Sequence, residues 1–383
     1  MKVLQLGKFY PIRGGVEKVM WDLAKGLNAA GVDCDMLCAM LPSDKVDAED
    51  AGAVLSTNPT VMDMGGKGRC ICVKALAKKA ATMISPAMIR WLRRHKGEYG
   101  IIHVHHPDPM ACLALRFSGY RGRVVLHWHS DIVKQKFFLR LYRPLQSWLI
   151  RRADVIVGTT PAYVGQSPFL AKAQDKIRVI PIGIRDDVRL SGAAPAGNAK
   201  LVFALGRLVP YKGFIHLIRA AELLPDDYRV VIGGTGPLME ELKGEVLRLG
   251  LEEKVRLAGY MSNEEVRRLF NGCTLFCLPS VMKTEAFGIV QIEAMSCSKP
   301  VVATRIPGSG VDWVNEDGVS GLNAVPGDAE SLAAAIKGVA DDPGKYETFC
   351  KNARARFETL FTLDTMITKA RELYSGLYGN ETE

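Results

Sequence analysis

Residues 3–27 have the sequence VLQLGKFYPIRGGVEKVMWDLAKGL, and they indicate the fold class. The apolar run at the start is typical of a buried strand, and a glycine loop follows at Gly14 and Gly15. Apolar residues then recur at helical spacing, at positions 16, 19, 20, 23 and 27. A strand, a loop and a helix in this order open an α/β fold whose sheet is mostly parallel.

The same rhythm continues along the chain and predicts two doubly wound domains. The small, uncharged stretch at 193–199 is the best candidate for a linker, so we expect domains at 1–192 and 200–360. Residues 361–383 contain an amphipathic helix that we expect to pack back on the first domain. Ligands of such sheets bind at the carboxyl ends of strands, here in a deep cleft between the domains. Further strands are predicted at 101–105, 124–128, 154–158, 179–183, 201–205, 228–233, 254–259, 274–279 and 300–304.

Composition excludes several classes of protein. Of the 383 residues, 48% are hydrophobic and 24% are charged, the balance of a globular chain and not of a disordered one. No apolar stretch reaches the roughly 18 residues of a membrane-spanning helix. The first 15 residues are interrupted by Lys8, Pro11 and Arg13, so we predict no signal peptide and a cytoplasmic location. The nine cysteines are then expected to be reduced thiols.

The net charge of +9 is concentrated in the first half of the chain. Residues 67–152 contain 18 basic and 3 acidic side chains. Interleaved with Trp91 and Trp148, this charge favours peripheral docking on an anionic membrane, at the inner face of the cytoplasmic membrane, although a solvated basic face would look the same. No nucleic-acid motif accompanies the charge, so we do not expect nucleic-acid binding.

Residues 279–304, PSVMKTEAFGIVQIEAMSCSKPVVAT, carry the strongest chemical signal. Glu285 and Glu293 flank Phe287-Gly288-Ile289, where a loop is predicted to turn into a helix. A helix N-terminus presents unpaired amide groups that suit a phosphate. Both carboxylates could then face one cleft, one contacting a sugar and the other a ribose.

A second signal is the basic pair Arg207 and Lys212, at a predicted strand end. Two cations there can neutralise a diphosphate and stabilise it as a leaving group. The glycine loop GGTGP at 233–237 also follows a strand, although such loops are common.

Together these residues resemble the retaining glycosyltransferases of family 4, which have the GT-B fold of two Rossmann-like domains. The resemblance covers nearly the whole chain. It rests on G-R-L-x-x-x-K-G at 206–213, G-T-G-P at 234–237, the two glutamates at 285 and 293, and the first glycine loop. The stretch at 308–322 is similar to the bacterial surface-polysaccharide members.

The resemblance implies roles for individual residues. Arg207 and Lys212 would bind the donor diphosphate, Glu285 would lie near the transferred sugar, and Glu293 would bind the ribose hydroxyls. The turn at Phe287, Gly288 and Ile289 would contact sugar or phosphate through its amides. Gly14 and Gly15 would approach the diphosphate from the first domain, and Gly259, Tyr260 and Met261 would line the nucleobase pocket.

Two histidine clusters belong to the first domain. In LHWHSDIV (126–133), His129 resembles the active-site histidine of the family, and His127 lies two residues earlier on the same face of the strand. Asp131 could orient His129 or contact the acceptor. His105 and His106, in HVHHPDP (103–109), are expected to line the acceptor site, while a metal at His103 and His105 is the less favoured interpretation.

We expect no metal or other cofactor. The pattern Asp33-Cys34-Asp35 matches the D-x-D of metal-dependent transferases, but it leads into a predicted strand. Arg207, Lys212 and the helix amides would supply the positive charge instead. The chain has neither a P-loop nor a G-x-G-x-x-G motif at its start.

The predicted activity is transfer of a hexose, with retention and by front-face attack, from a nucleotide sugar to a glycan or lipid-diphosphate-linked acceptor of a surface polysaccharide. GDP-mannose is the first expectation for the donor. Three alternatives stay open: a UDP-hexose or UDP-N-acetylhexosamine transferase, a nucleotide-sugar epimerase, and a non-catalytic assembly scaffold. The sequence does not indicate the oligomeric state.

Overall fold

The computed structural model describes residues 2–12, 14–47, 50, 53–79, 82–132, 136–189 and 199–379, without the side chains of 136–139 and 141. The chain divides into two compact units. The first comprises Met1–Thr159, Val164–Gly183 and Leu363–Glu383, and the second comprises Thr160–Tyr163 and Ile184–Thr362.

A nine-stranded sheet forms the centre of the first unit, and a separate two-stranded hairpin is formed by β6 and β7. The sheet order is β11-β10-β9-β8-β1-β2-β5-β4-β3; β4 runs antiparallel to both β3 and β5, and the other pairs are parallel. The elements are β1 (Lys2–Phe9), α1 (Gly15–Ala29), β2 (Asp33–Met40), β3 (Val54–Thr57), β4 (Thr60–Asp63), β5 (Arg69–Lys74), β6 (Ala77–Lys79), β7 (Thr82–Ile84), α2 (Pro86–His95), β8 (Ile101–His106), α3 (Pro109–Ser118), β9 (Arg123–Trp128), α4 (Lys136–Arg152), β10 (Val155–Gly158), α5 (Pro161–Gly165) and β11 (Ile177–Val179).

The second unit is built on a six-stranded parallel sheet in the order β14-β13-β12-β15-β16-β17. Its core includes Phe203, Phe270 and Phe276, whose rings lie 5.1–5.8 Å apart. The elements are β12 (Lys200–Leu205), α6 (Phe214–Glu222), β13 (Tyr228–Gly233), α7 (Met239–Arg248), β14 (Val255–Gly259), α8 (Asn263–Gly272), β15 (Leu275–Cys277), α9 (Ile289–Ser296), β16 (Val301–Thr304), α10 (Val311–Val314), β17 (Gly321–Ala324), α11 (Ala329–Ala340) and α12 (Pro343–Arg356).

The last helix, α13 (Leu363–Gly379), belongs to the first unit although it follows the second in sequence. Its Tyr374 is fully buried, and the hydroxyl accepts a hydrogen bond from Gln5 Nε2 of β1 at 3.1 Å. The apolar spacing predicts the helix, and tertiary contacts with β1 hold it in the first unit. None of the described helices is long and apolar enough to cross a membrane.

Two details of the organisation differ from expectation. The chain passes from the first unit to the second at Gly183–Ile184, nine residues before the end of the first predicted domain at 192. The predicted linker at 193–199 lies outside the described residues except for Ala199. The run at 179–183 was expected to be a strand, but β11 covers only Ile177–Val179, because β10 ends at Gly158, whose carbonyl accepts a last hydrogen bond from the Ile180 amide.

Candidate active site

The sheet of the second unit reverses its strand order between β12 and β15. Strands β13 and β14 lie on one side of β12, and β15, β16 and β17 lie on the other. In open α/β sheets, ligands bind outside the carboxyl ends of the strands at this switch point. The loops that follow β12 and β15 carry Arg207, Lys212, Glu285 and Gly288, so the structure brings together residues that are separated by up to 81 positions in sequence.

A buried ion pair lies at this switch point. Lys212 Nζ and Glu285 Oε2 are 2.5 Å apart, and each side chain is only 11% exposed. The two loops are joined by a hydrogen bond from the Val281 amide to the Tyr211 carbonyl, at 2.9 Å. Gly213 permits this approach, because a Cβ at its φ of +67° would lie 2.1 Å from the Pro279 carbonyl oxygen.

Glu285 is also held by hydroxyl groups from its own loop and from the loop after β16. Ser280 Oγ donates to Glu285 Oε2 at 3.0 Å, and Ser309 Oγ donates to the Glu285 carbonyl oxygen at 2.5 Å. The other carboxylate oxygen, Oε1, can still accept hydrogen bonds from a sugar. The Glu285 carboxylate and the Lys212 ammonium group are therefore held side by side and largely shielded from water, where electrostatic interactions are strong.

Helix α9 begins beside this pair. Gly288 precedes its first residue, Ile289, with a φ of +76°, and a Cβ there would lie 2.6 Å from Leu278 Cδ2. The Phe287 side chain is buried, with its ring 5.9 Å from that of Phe361, so only the backbone of this turn can serve a ligand. Glu293 lies in the second turn of α9 and is half-buried.

Glycine loops form the other side of the switch point. The Gly206 amide donates to the Gly233 carbonyl and the Gly234 amide donates to the Gly259 carbonyl, so the ends of β12, β13 and β14 are tied together. A Cβ on Gly234 would lie 1.9 Å from the Gly206 oxygen. The Met261 side chain covers Gly233, whereas Tyr260 is 83% exposed and available to stack on a base.

In the first unit, the predicted glycine loop precedes α1. Gly14 is the N-cap and Gly15 is the first helical residue, and both are exposed. The carboxylate of Glu17 folds over this end of the helix, since a Cβ on Gly14 would lie 2.1 Å from Glu17 Oε2. Any anion that approaches these amides therefore meets Glu17.

His103 and His105 of β8, His127 of β9 and His129 just after β9 form a stacked array on one face of the sheet. The rings of His127 and His129 lie 3.9 Å apart, and His129 Nε2 lies 2.9 Å from His105 Nδ1. His105 Nε2 in turn contacts the Gln5 amide oxygen at 2.8 Å. Burial lowers the pKa of every ring in the array, that of His127 to about 3, so they are neutral at physiological pH. Both nitrogens of His129 are buried, and contact between its ring and a substrate would require the ring to leave the array.

The other two residues expected at the acceptor site have different surroundings. His106 faces the opposite side of the sheet, where its ring is buried against that of Trp128 at 3.8 Å. Successive side chains of a strand alternate between faces, so His105 and His106 cannot line one site together. Asp131 accepts hydrogen bonds from the Trp128 indole at 2.9 Å and from Ser167 at 2.7 Å.

Two groups among the described residues could supply metal ligands: His103, His105 and His127, and Cys38, Cys70 and Cys72. In the histidine group the ring planes are within 15–28° of each other, so their in-plane lone pairs do not converge on one point. The thiols are buried, with sulfurs 3.4–3.9 Å apart, and the sequence did not indicate this cluster because Cys38 comes from a different strand.

The Asp33-Cys34-Asp35 pattern lies in β2, as its strand interpretation predicts. Asp35 is fully buried and binds Lys2 and Arg69, each at 2.9 Å, and the Tyr99 hydroxyl at 2.7 Å. Burial alone would raise the pKa of this carboxyl, but these hydrogen bonds outweigh burial and lower it. Asp35 is thus a structural anchor of the first unit.

Sequence reasoning missed two residues at the switch point of the first sheet, between β1 and β8. Lys8, the next-to-last residue of β1, has a φ of +61°, and its backbone amide donates to Oδ2 of the buried Asp108. A positive φ at a lysine cannot be read from a sequence. The only local signal is a cation at the carboxyl end of an apolar strand, in GKFYP at 7–11.

Comparison with known proteins agrees with this geometry. Residues 13–188 match the family model "Glycosyltransferase Family 4", and residues 191–356 match "Glycosyl transferases group 1". The chain is 33% identical to O-antigen chain mannosyltransferase C of Escherichia coli, over 98% of this chain and 99% of that one. It is 30% identical to D-rhamnosyltransferase WbpZ of Pseudomonas aeruginosa, over 94% and 92%.

Among solved structures, Anabaena HepE in complex with UDP superposes with a TM-score of 0.76 at 23% identity, over 98% of this chain and 100% of that one. That likeness shows the fold. With the two family models and the two full-length relatives, it identifies the chain as a glycosyltransferase of family 4 with the GT-B fold.

Proposed function

We propose that the protein transfers a hexose, with mannose from GDP-mannose as the first candidate, to a glycan or lipid-diphosphate-linked acceptor of a bacterial surface polysaccharide. The observation that carries the proposal is the Lys212–Glu285 pair at the switch point of the second sheet. The mannosyl and D-rhamnosyl specificities named for the two full-length relatives support the sugar, because D-rhamnose is 6-deoxymannose.

In the proposed reaction, the bond between C1 of the sugar and the diphosphate oxygen breaks, and an acceptor hydroxyl attacks C1 from the same face. Its proton passes to the departing diphosphate, so the configuration is retained. Arg207, Lys212 and the amides at the start of α9 stabilise the negative charge that develops on the diphosphate, and no metal is required for that purpose. Glu285 orients the sugar, Glu293 binds the ribose, and Tyr260 stacks on the base. His129 contributes only if its ring turns out of the histidine array.

The exposed surface of the first unit supports docking on an anionic membrane. Arg90, Arg93 and Arg94 are exposed on α2. Leu76 and Ile84 flank the β6–β7 hairpin and are 67% and 40% exposed. Cations beside exposed apolar side chains are typical of proteins that bind the membrane interface. Lys136 and its aromatic neighbours Phe137 and Phe138, also expected to contribute, have side chains outside the described set, and Lys134 lies outside it entirely.

Thermal unfolding in the presence of EDTA tests the donor site. We expect GDP and GDP-mannose to raise the melting temperature, since a ligand at 100 times its dissociation constant adds about 2.7 kcal/mol. Glu293→Ala should abolish the shift, whereas Glu240→Ala, on the exposed face of α7, should retain it. A shift with UDP compounds alone would replace the donor by a UDP-hexose, the nucleotide bound in the HepE structure. No shift with any nucleotide would contradict the proposal.

Product analysis then tests the reaction itself. Transfer from GDP-mannose to a polyprenyl-diphosphate glycan should proceed in EDTA, and the anomeric configuration of the product can be read by NMR. A β-linked product, or turnover of the donor without an acceptor, would overturn retention or transfer respectively.

A further inference from the structure

We propose that Lys8 is a phosphate-binding residue of the first unit, a role that rests on the proposed transferase function. It would bind a phosphate of either the donor diphosphate or a lipid-diphosphate acceptor. The inference comes from how Lys8 is held and from what surrounds its ammonium group.

The backbone holds Lys8 in a conformation that a lysine avoids. Its φ of +61° lies in the left-handed region, which is unfavourable for a residue with a Cβ. Gly7, immediately before it, has a φ of +126°. The amide of Lys8 is clamped by Asp108 Oδ2, while Oδ1 of the same carboxylate accepts the amides of Met110 and Ala111 at the start of α3. Strain of this kind persists where surrounding contacts enforce it, and it clusters at ligand sites.

The ammonium group lies against protein atoms in a half-buried residue, and within the described part of the chain it has no ion-pair partner. Nζ donates to the Pro107 carbonyl oxygen at 2.7 Å. Within the described part of the chain, no carboxylate oxygen lies within 4.0 Å of it. Burial lowers the pKa of Lys8, only partly offset by the more distant charges of Asp108 and Glu17. A cation that has lost part of its hydration is normally paired, so the partly desolvated ammonium group of this strained residue is costly unless a ligand supplies a negative charge.

The position of Lys8 specifies where such a ligand would bind. Its contacts to Pro107 and Asp108 connect the loop after β1 to the loop after β8, the two loops that flank the switch point of the first sheet. Glycine-containing α1 begins a few residues later at Gly15. An ammonium group with two N–H bonds to spare suits a phosphate oxygen as a point charge.

Two variants separate a ligand-binding role from a structural one. Lys8→Met removes the charge and keeps the length of the side chain. Lys8→Gly removes the side chain and also relieves the backbone strain. If Lys8 is held for a ligand, Lys8→Gly should melt at or above the wild-type temperature while losing phosphate affinity as fully as Lys8→Met does. A melting temperature well below wild type for Lys8→Gly would make the residue structural and overturn the proposal.

Binding is measured by calorimetry with inorganic diphosphate, in an Arg207→Ala, Lys212→Ala background that removes both diphosphate-binding cations of the second unit. We expect Lys8→Met to weaken affinity about 10- to 100-fold, the effect of removing a hydrogen bond to a charged group. Lys18→Met is the matched control, because Lys18 lies on α1, is 64% exposed and pairs with Asp22. Unchanged affinity in Lys8→Met would overturn the proposal.

Steady-state kinetics then identify the source of the phosphate. In the otherwise wild-type enzyme, a raised KM for the nucleotide sugar assigns Lys8 to the donor, and a raised KM for the polyprenyl-diphosphate acceptor assigns it to the acceptor. Unchanged kinetic constants for both would overturn the role. Failure of the transferase proposal is distinguishable, because it would appear as an absence of nucleotide binding and transfer in the wild-type protein, whatever the result at Lys8.

Discussion

The two units share an architecture but differ in the chemistry at the carboxyl ends of their strands. Both sheets reverse their strand order beside the first strand of the unit, at β1 and β8 in one and at β12 and β15 in the other. The second unit places the Lys212–Glu285 ion pair there. The first places neutral, buried histidines nearby, together with Lys8, whose ammonium group has no ion-pair partner among the described residues. The same fold therefore places a binding site at the switch point of each sheet, and the side chains of the surrounding loops determine which ligand binds there.

The largest expected difference between the units is their response to acid. Five histidines are buried in the first unit, whereas His216 of the second is half-buried. Burial lowers the pKa values of the five, to about 3 for His106 and His127, below the unfolded value near 6.5. The unfolded chain therefore binds more protons, and stability falls as the pH drops below about 6.5. Between about pH 6.5 and its lowered pKa, each histidine that stays neutral in the folded state reduces the free energy of unfolding by about 1.4 kcal/mol per pH unit.

Hydrogen exchange at pH 7.5 and pH 5 would measure this difference. Peptides from β8 and β9 should lose protection at pH 5, while those from β12 and β13 keep it. His216→Asn in the second unit should not change the pattern. Earlier loss of protection in β12 and β13 would contradict the contrast between the units.

Breaking the charged pair of the second unit should have the next largest effect. Lys212→Ala removes a group that stabilises the departing diphosphate, so we expect kcat to fall about 10²- to 10³-fold. Lys243→Ala, whose side chain pairs with Glu240 on the surface of α7, is the control and should behave as wild type. Near-normal turnover by the folded Lys212→Ala protein would remove this pair from the mechanism.

A matched pair of glycines tests how the site is assembled. Gly213 and Gly250 have nearly equal φ values, +67° and +64°, but a Cβ on Gly213 meets the Pro279 oxygen at 2.1 Å, whereas one on Gly250 meets nothing within 4 Å. In both alanine variants the left-handed backbone conformation should lower the free energy of unfolding by about 1–2 kcal/mol. Gly213→Ala should lower the free energy of unfolding by a further ~1–3 kcal/mol, as overpacking does. It should also lower activity, because the added methyl group separates the loop after β12 from the loop after β15.

Equilibrium denaturation and transfer assays on the two variants would check this prediction. Equal losses of stability and activity would mean that the approach of the Lys212 loop to Pro279 is not what positions the ion pair.

The smallest effect is expected on the basic surface of the first unit. Arg90→Gln and Arg94→Gln should each weaken binding to anionic vesicles by about 1 kcal/mol, and high salt should abolish the difference. Arg268→Gln and Lys351→Gln of the second unit, which neutralise cations paired with glutamates, should have no such effect. Co-sedimentation with vesicles, with and without anionic lipid, measures the binding of all four variants. If the variants of the second unit lost as much binding as those of the first, the basic surface would have no specific role at the membrane.

The sequence was sufficient where a feature is local. The strand, glycine loop and helix at the start of each unit follow from apolar spacing, and the two glutamates of 279–304 fall in the loop and second turn that the pattern predicts. The family-4 resemblance carried by these motifs is confirmed by the family models and the full-length relatives. The short strands β3 and β4, at one end of the first sheet, were not predicted, because short and largely exposed strands carry little periodicity.

The α/β alternation, the glycine loops and the charged residues can be read from the sequence, because they depend on spacing within a few turns or strands. The pairing of Lys212 with Glu285, the burial of the His129 ring, the opposite orientation of His106 and the place of α13 in the first unit become visible only in the folded chain. The same is true of the strained Lys8, whose ammonium group has no ion-pair partner among the described residues. These features arise from contacts between distant segments and from desolvation, and neither is encoded in the local pattern of any one segment.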